Sequence, residues 1–122
     1  MKWLFKTEPS DYSYERLVKD GRTAWIGVRN ALALKHLRQV KKGDLIAIYH
    51  TGGEKAVVGI ARAAADAKGD AVEVFPIKSV TPVSLVAVKA DPRFKDFQLV
   101  KMGRLSVMPV PDALWKPLTG SA

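Results

Sequence analysis

Apolar side chains crowd the first stretch of the chain and then settle into alternating strand and helix rhythms. Residues 2–8 read as a strand rich in aromatic and apolar side chains, and Pro9 ends it because proline cannot donate to a sheet ladder. Ser13 is placed to cap a short helix through Lys19, with Leu17 and Val18 inward and Gly21 as the stop. A loop then runs through Trp25 and Gly27. Asn30 opens a second helix over residues 31–40, whose apolar stripe is Ala33, Leu34, Leu37 and Val40. Lys35, His36, Arg38 and Gln39 fall on its other faces. Lys41-Lys42-Gly43-Asp44 is a turn, with two lysines where a helix C-terminus favours positive charge.

The second half reads differently. Leu45-Ile46-Ala47-Ile48-Tyr49 is a buried strand, Thr51-Gly52-Gly53-Glu54 turns the chain, and Lys55 to Ala65 returns as its hairpin partner. After a turn at Ala67–Asp70, residues 71–80 form a third strand of the meander. Val72 and Val74 face inward there, with Ile77 a further candidate. Five of the seven prolines lie beyond residue 80, so regular elements there are expected to be short. Val83–Val88 reads as a strand or a single helical turn, Leu105–Met108 as a last strand, and Pro111–Trp115 as a closing helix. Strands outnumber helices and follow one another through tight turns. The expected fold class is α+β, a small mixed barrel with helices inserted early.

Length bounds the rest. A chain of 122 residues is expected to form one domain, residues 1–122, with a core that needs no disulfide or metal. The absence of cysteine removes disulfide scaffolds, thiolate zinc sites and a Cys nucleophile. No apolar run approaches the roughly 20 residues of a membrane helix. The start does not look like a signal peptide, so the expected location is the cytoplasm, or the nucleus in a eukaryote. The formal charge is +8 with a pI near 9.9. Residues 1–61 carry 11 basic and 6 acidic groups and residues 62–122 carry 9 and 6, so the excess is spread out and is no tail. Broad basicity favours a polyanion, and nucleic acid is the expected partner.

One constellation sharpens this. The segment Trp3-Leu4-Phe5-Lys6-Thr7-Glu8-Pro9-Ser10 ends a strand in polar groups, and Trp25-Ile26-Gly27-Val28-Arg29-Asn30 places a Trp in a glycine-containing loop. Together they can make a small pocket with a flat aromatic wall and a few aimed hydrogen bonds, suited to a nucleobase. These segments are joined by Gly43-Asp44 with Tyr49-His50, by Val58-Gly59-Ile60-Ala61, and by Arg104-Leu105-Ser106-Val107-Met108-Pro109. In that order and spacing the chain resembles the EVE domain family over nearly its whole length. The resemblance implies a PUA-like fold, a small mostly antiparallel β-barrel with peripheral helices. It also implies kinship with YTH domains, which hold a methylated RNA base in an aromatic cage. EVE domains are regarded as non-catalytic readers of modified bases, chiefly modified cytosine in DNA, working alone or fused to effectors. A separate effector protein and a monomeric state are therefore expected here, with no cofactor and no membrane partner.

Trp25 is the first candidate for the stacking wall, and Trp3 either forms a second wall or belongs to the core. Tyr49, at a strand end, either meets ligand with its hydroxyl or is buried with the hydroxyl satisfied. The likeness to YTH domains suggests that Lys6, Thr7 and Glu8 read the base edge. A carboxylate such as Glu8 suits cytosine N4, or else pairs with Lys6 or Arg29. Ser10 offers a hydroxyl to base or turn, and Asn30 either binds the base or caps the second helix. Arg29 and Arg104, with Ser106 on the late strand expected beside the first, are phosphate or rim groups. Lys35, Arg38, Lys41 and Lys42 form a basic helix face or a merely solvated one, Lys35 and Arg38 being the rim candidates.

Two other functions fit these residues. One is an RNA-binding PUA-like module without base-modification specificity. The other is an amidohydrolase of the ASCH kind acting on acylated cytidine, for which Lys6, Thr7 and Glu8 supply the residue types. Neighbouring strand residues point to opposite faces, however, so Lys6 and Thr7 face one pocket only if the strand bulges. His36 and His50 have no clustered acids between them, so no metal site is expected.

Overall fold

The structure, a computed structural model, describes residues 1–120. Strand β1 (Lys2–Thr7) is followed by helix α1 (Tyr14–Asp20), strand β2 (Thr23–Trp25) and helix α2 (Ala31–Leu37). Three strands come next: β3 (Leu45–His50), β4 (Ala56–Ala63) and β5 (Val72–Ser84). Helix α3 (Leu85–Ala90), a 3-10 turn at Pro92–Phe94, helix α4 (Gln98–Lys101), strand β6 (Val107–Pro109) and helix α5 (Asp112–Thr119) complete the chain.

The strands form one six-stranded sheet in the order β2-β5-β4-β3-β1-β6. Only β1 and β3 run parallel; the other four neighbouring pairs are antiparallel. In a flat sheet, four steps of about 4.8 Å would hold β1 about 19 Å from β2. Yet the rings of Phe5 on β1 and Trp25 on β2 lie 5.4 Å apart, so the sheet curls back on itself. The expected mostly antiparallel barrel with peripheral helices is therefore found in a half-open form, its margins being β2 and β6. The late strand does lie beside the first, Leu4 opposite Met108.

Trp3, Leu4 and Phe5 are all buried, because β1 has neighbours on both sides and is covered on both faces. Asp44 gathers three donors: the Met1 amino group (2.9 Å), the Trp3 indole N–H (2.9 Å) and the Lys41 backbone N–H (2.9 Å). Burial alone would raise the Asp44 pKa; these hydrogen bonds and the nearby amino-terminal charge outweigh it and hold the carboxyl below its ordinary value. Tyr14 lies across β4 where residue 59 is glycine; a Cβ there would sit 2.4 Å from the Tyr14 ring. The phenol donates to the Ile60 carbonyl (2.7 Å).

Both helix caps follow the sequence. Ser13 accepts from Arg16 N–H (3.0 Å), Gly21 ends α1 in the left-handed conformation, and Asn30 accepts from Ala33 N–H (3.0 Å). Several details differ, and one is Val18, expected inward on α1 but 52% exposed. α2 stops at Leu37, and the chain continues to a buried Val40 through tighter turns closed by Gln39 to His36 and Val40 to Leu37. β2 replaces part of the expected loop, because Thr23–Trp25 finds a ladder partner in Val72–Val74. Ile77 does not face inward: the β4–β5 register jumps from Ile60 opposite Lys78 to Ala61 opposite Pro76, leaving Ile77 in a bulge and 45% exposed.

Candidate functional site

The seam of the curled sheet holds a cavity of about 430 Å³. Its walls come from the end of β1 (Lys6, Thr7), from Tyr12, from β2 and the loop after it (Thr23 to Arg29), and from Ser106 just before β6. Thus the two margins of the sheet supply opposite sides of one opening. Trp25 is 8% exposed and is held by ring contacts on two sides, with Phe5 tilted at 5.4 Å and Tyr12 edge-on at 6.3 Å. A wall fixed in this way presents a flat surface without losing rotamer freedom on binding.

Polar groups surround that wall. The Thr7 hydroxyl donates to the Tyr12 carbonyl (2.7 Å), which ties the end of β1 to the approach of α1. The Tyr12 hydroxyl donates to Asp20 (2.8 Å); burial chiefly raises its pKa, and Asp20 adds to the rise. Lys6 Nζ donates to the Gly103 carbonyl (2.9 Å) and lies 5.6 Å from the centre of the Tyr49 ring. Burial lowers the Lys6 pKa. No acidic residue lines the cavity, while Lys6 and Arg29 do. The Trp25 loop turns at Gly27, whose φ of +80° is a conformation most side chains avoid. Ile26 beside it is 67% exposed.

Of the residues singled out in the sequence, Lys6, Thr7, Trp25, Arg29 and Ser106 come together here. The others do not. Trp3 is a core residue, 1% exposed, because its indole N–H is spent on Asp44. Tyr49 is buried under Lys6 and borders a second cavity. Glu8 turns away toward the β3–β4 turn, accepting from the Thr51 hydroxyl (3.0 Å) and the Ser10 hydroxyl (3.2 Å), which also accounts for Ser10. The cause is the tight turn closed by Asp11 and Tyr12 N–H on the Glu8 carbonyl. Asn30 is the α2 cap. Arg38 is paired with Asp70 (2.6 Å), and Lys35 and Arg104 are exposed away from the cavity.

Tyr12, Thr23, Ile26 and Val28 also line the cavity, although sequence reasoning assigned none of them a role of its own there. Ile26 and Val28 carried a signal: apolar residues flanking a glycine next to a Trp in a loop. Thr23 carried none, since its place depends on a strand three residues long. Lys6 and Thr7 both border the cavity although adjacent strand residues alternate, because the opening lies at the strand's end. Their polar atoms nevertheless engage different groups, Gly103 and Tyr12. Among the described residues no cluster of three metal-ligating side chains is found, and no helix is long and apolar enough to cross a membrane.

A curled, mostly antiparallel sheet with a cavity at its seam and helices around it makes this a PUA-like protein. The ASCH protein of Zymomonas mobilis shares the fold at a TM-score of 0.53 and 13% identity, over 92% of this chain and 89% of that one. The EVE domain model matches residues 1–120, and the chain belongs to the EVE domain family. It is similar to the NMR structure of a protein from Rhodopseudomonas palustris, with 38% identity and a TM-score of 0.88 over 96% of this chain and 89% of that one. It is also similar in fold to human THYN1, solved in complex with DNA containing 5-methylcytosine: 22% identity and a TM-score of 0.83, with 91% of each chain covered. No curated protein matches the sequence significantly.

Proposed function

We propose that this domain is a non-catalytic reader of a modified nucleobase, a modified cytosine in DNA, held in the Trp25 cavity. The observation that carries the reading is the cavity itself: a fixed indole wall, hydroxyls at its side, cations and no carboxylate in its lining. A duplex base must leave the stack to be held in such a place, at a cost of a few kcal/mol. Stacking on an aromatic side chain returns about 1–3 kcal/mol per base. The rest comes from edge hydrogen bonds and from phosphate contacts, which a chain of net charge +8 is suited to make. The fold shared with human THYN1 in its DNA complex supports the same reading.

Because Glu8 is engaged elsewhere, the exocyclic amine of cytosine would meet hydroxyl or carbonyl oxygen, such as Thr7 or Ser106. The hydrolase alternative is disfavoured by the same geometry. Thr7 and Lys6 each donate to a different backbone carbonyl, and Glu8 accepts from the Thr51 and Ser10 hydroxyls, so no base sits beside a nucleophile.

The test is titration of labelled DNA and RNA oligonucleotides, each with one modified or one plain cytosine or adenine, at two salt concentrations. Tighter binding of one modified base that persists at the higher salt is expected. Trp25→Leu, which keeps apolar bulk and removes the flat face, should lose that preference and keep weak, salt-sensitive binding. Preference retained in a folded Trp25→Leu protein would overturn the proposed wall. Equal binding of every oligonucleotide, fading with salt, would leave an RNA- or DNA-binding module without base selectivity.

A further inference from the structure

A second cavity, about 240 Å³, shares Lys6 with the first. Its cationic lining is Lys6, Lys55 and Lys89, with the Thr51 hydroxyl beside them and no acidic residue. Among the described residues none of the three lysines forms an ion pair, although seven pairs of fixed charge occur elsewhere. The one carboxylate tied to this lining is Glu8, which accepts from Thr51 and does not itself border the space.

The lysines are placed by structure and not merely exposed. Lys55 has a φ of +46°, a left-handed conformation that costs a non-glycine residue energy. Its carbonyl is held there by the N–H of Leu85 (2.8 Å), the first residue of α3, and the last turn of that helix carries Lys89. Lys6 uses one of its three protons on Gly103 and has two to give. Burial penalises its charge, a penalty an anion would relieve.

We propose that this second cavity is a phosphodiester subsite, taking the backbone next to the base held at Trp25. The placement rests on the base-reading proposal, since it is Lys6, common to both cavities, that joins them. One strand then lies across Lys6, with base on one side and phosphate on the other. This site supplies affinity and the reading frame of the strand, and it carries no base selectivity.

The experiment uses the full chain, Lys55→Gln/Lys89→Gln, and a charge-matched control, Lys19→Gln/Lys68→Gln, whose residues border neither cavity. Each is titrated with a DNA carrying one 5-methylcytosine and with its plain counterpart over a salt series. The Lys55/Lys89 variant should bind both DNAs about tenfold more weakly at low salt, with the slope of log K on log salt smaller by about one to two. The control should change far less. Equal change in the two variants overturns the subsite. Neutral methylphosphonates at the phosphates flanking the 5-methylcytosine should abolish the difference between the Lys55/Lys89 variant and the unmodified protein. A difference that survives them overturns the placement. Failure of the base reading looks different: the unmodified protein then binds both DNAs alike, whatever the lysines do to the slope.

Discussion

Asp44 is the residue on which the start of the fold converges. Its carboxylate satisfies the Trp3 indole, the Lys41 amide and the Met1 amine at once. Asp44→Asn turns a donor toward those donors, and a loss of about 2–3 kcal/mol in urea unfolding is expected. The pH dependence has a definite sign. The folded carboxyl has a depressed pKa, so its contribution is complete above the unfolded value of about 4. It is lost as pH falls through the folded value. The stability gap between the unsubstituted protein and Asp44→Asn should therefore narrow on acidification below about pH 4, and a gap that widens would contradict the assignment. Gly59 makes a second residue-scale case. Gly59→Ala drives a methyl into the Tyr14 ring, and a loss of about 1–3 kcal/mol is expected from thermal unfolding. Such roles are poorly legible in a sequence. The sequence ranks Trp25, in a glycine-containing loop, ahead of Trp3 on its strand, but it shows neither the Asp44 acceptor 41 residues from Trp3 nor the Phe5 ring that the curled sheet brings to Trp25.

Elements were more legible than residues wherever the signal was local. The caps Ser13, Gly21 and Asn30 sit within a turn of the helices they bound, and α1 and α2 start where those residues say. Asn30→Ala should cost about 1 kcal/mol of stability and leave the base preference untouched, checked by unfolding and titration together. A lost preference would return Asn30 to the pocket. What failed to show was set by distant pairing. The strand that bends at Pro76 continues to Ser84 only because β4 lies beside it, and Ser84 then caps α3 by accepting from Ala87 N–H (3.1 Å). β2 is legible only once β5 exists to receive it. The β3–β4 hairpin, by contrast, followed from chain order and alternation, and the β1–β6 pairing from the fold that the family resemblance implies.

At the scale of the molecule, basic charge spread over the surface predicts association that falls steeply with salt, whichever nucleic acid is bound. On the base-reading proposal, selectivity belongs to the seam. β2 is joined to the sheet by β5 alone, and across the opening the far margin is the three-residue β6. A molecule lodged between them acts as a latch, supplying the cross-tie that the backbone itself omits. Occupancy should then be felt as mechanical closure: slower amide exchange at Thr23–Trp25, with little change in the already enclosed β3. A ligand at a hundredfold excess over its dissociation constant would add about 2.7 kcal/mol to the stability of the whole fold. With the cavity occupied as proposed, the gap in the barrel would make the integrity of the protein depend on its cargo, and the empty domain would be the looser one.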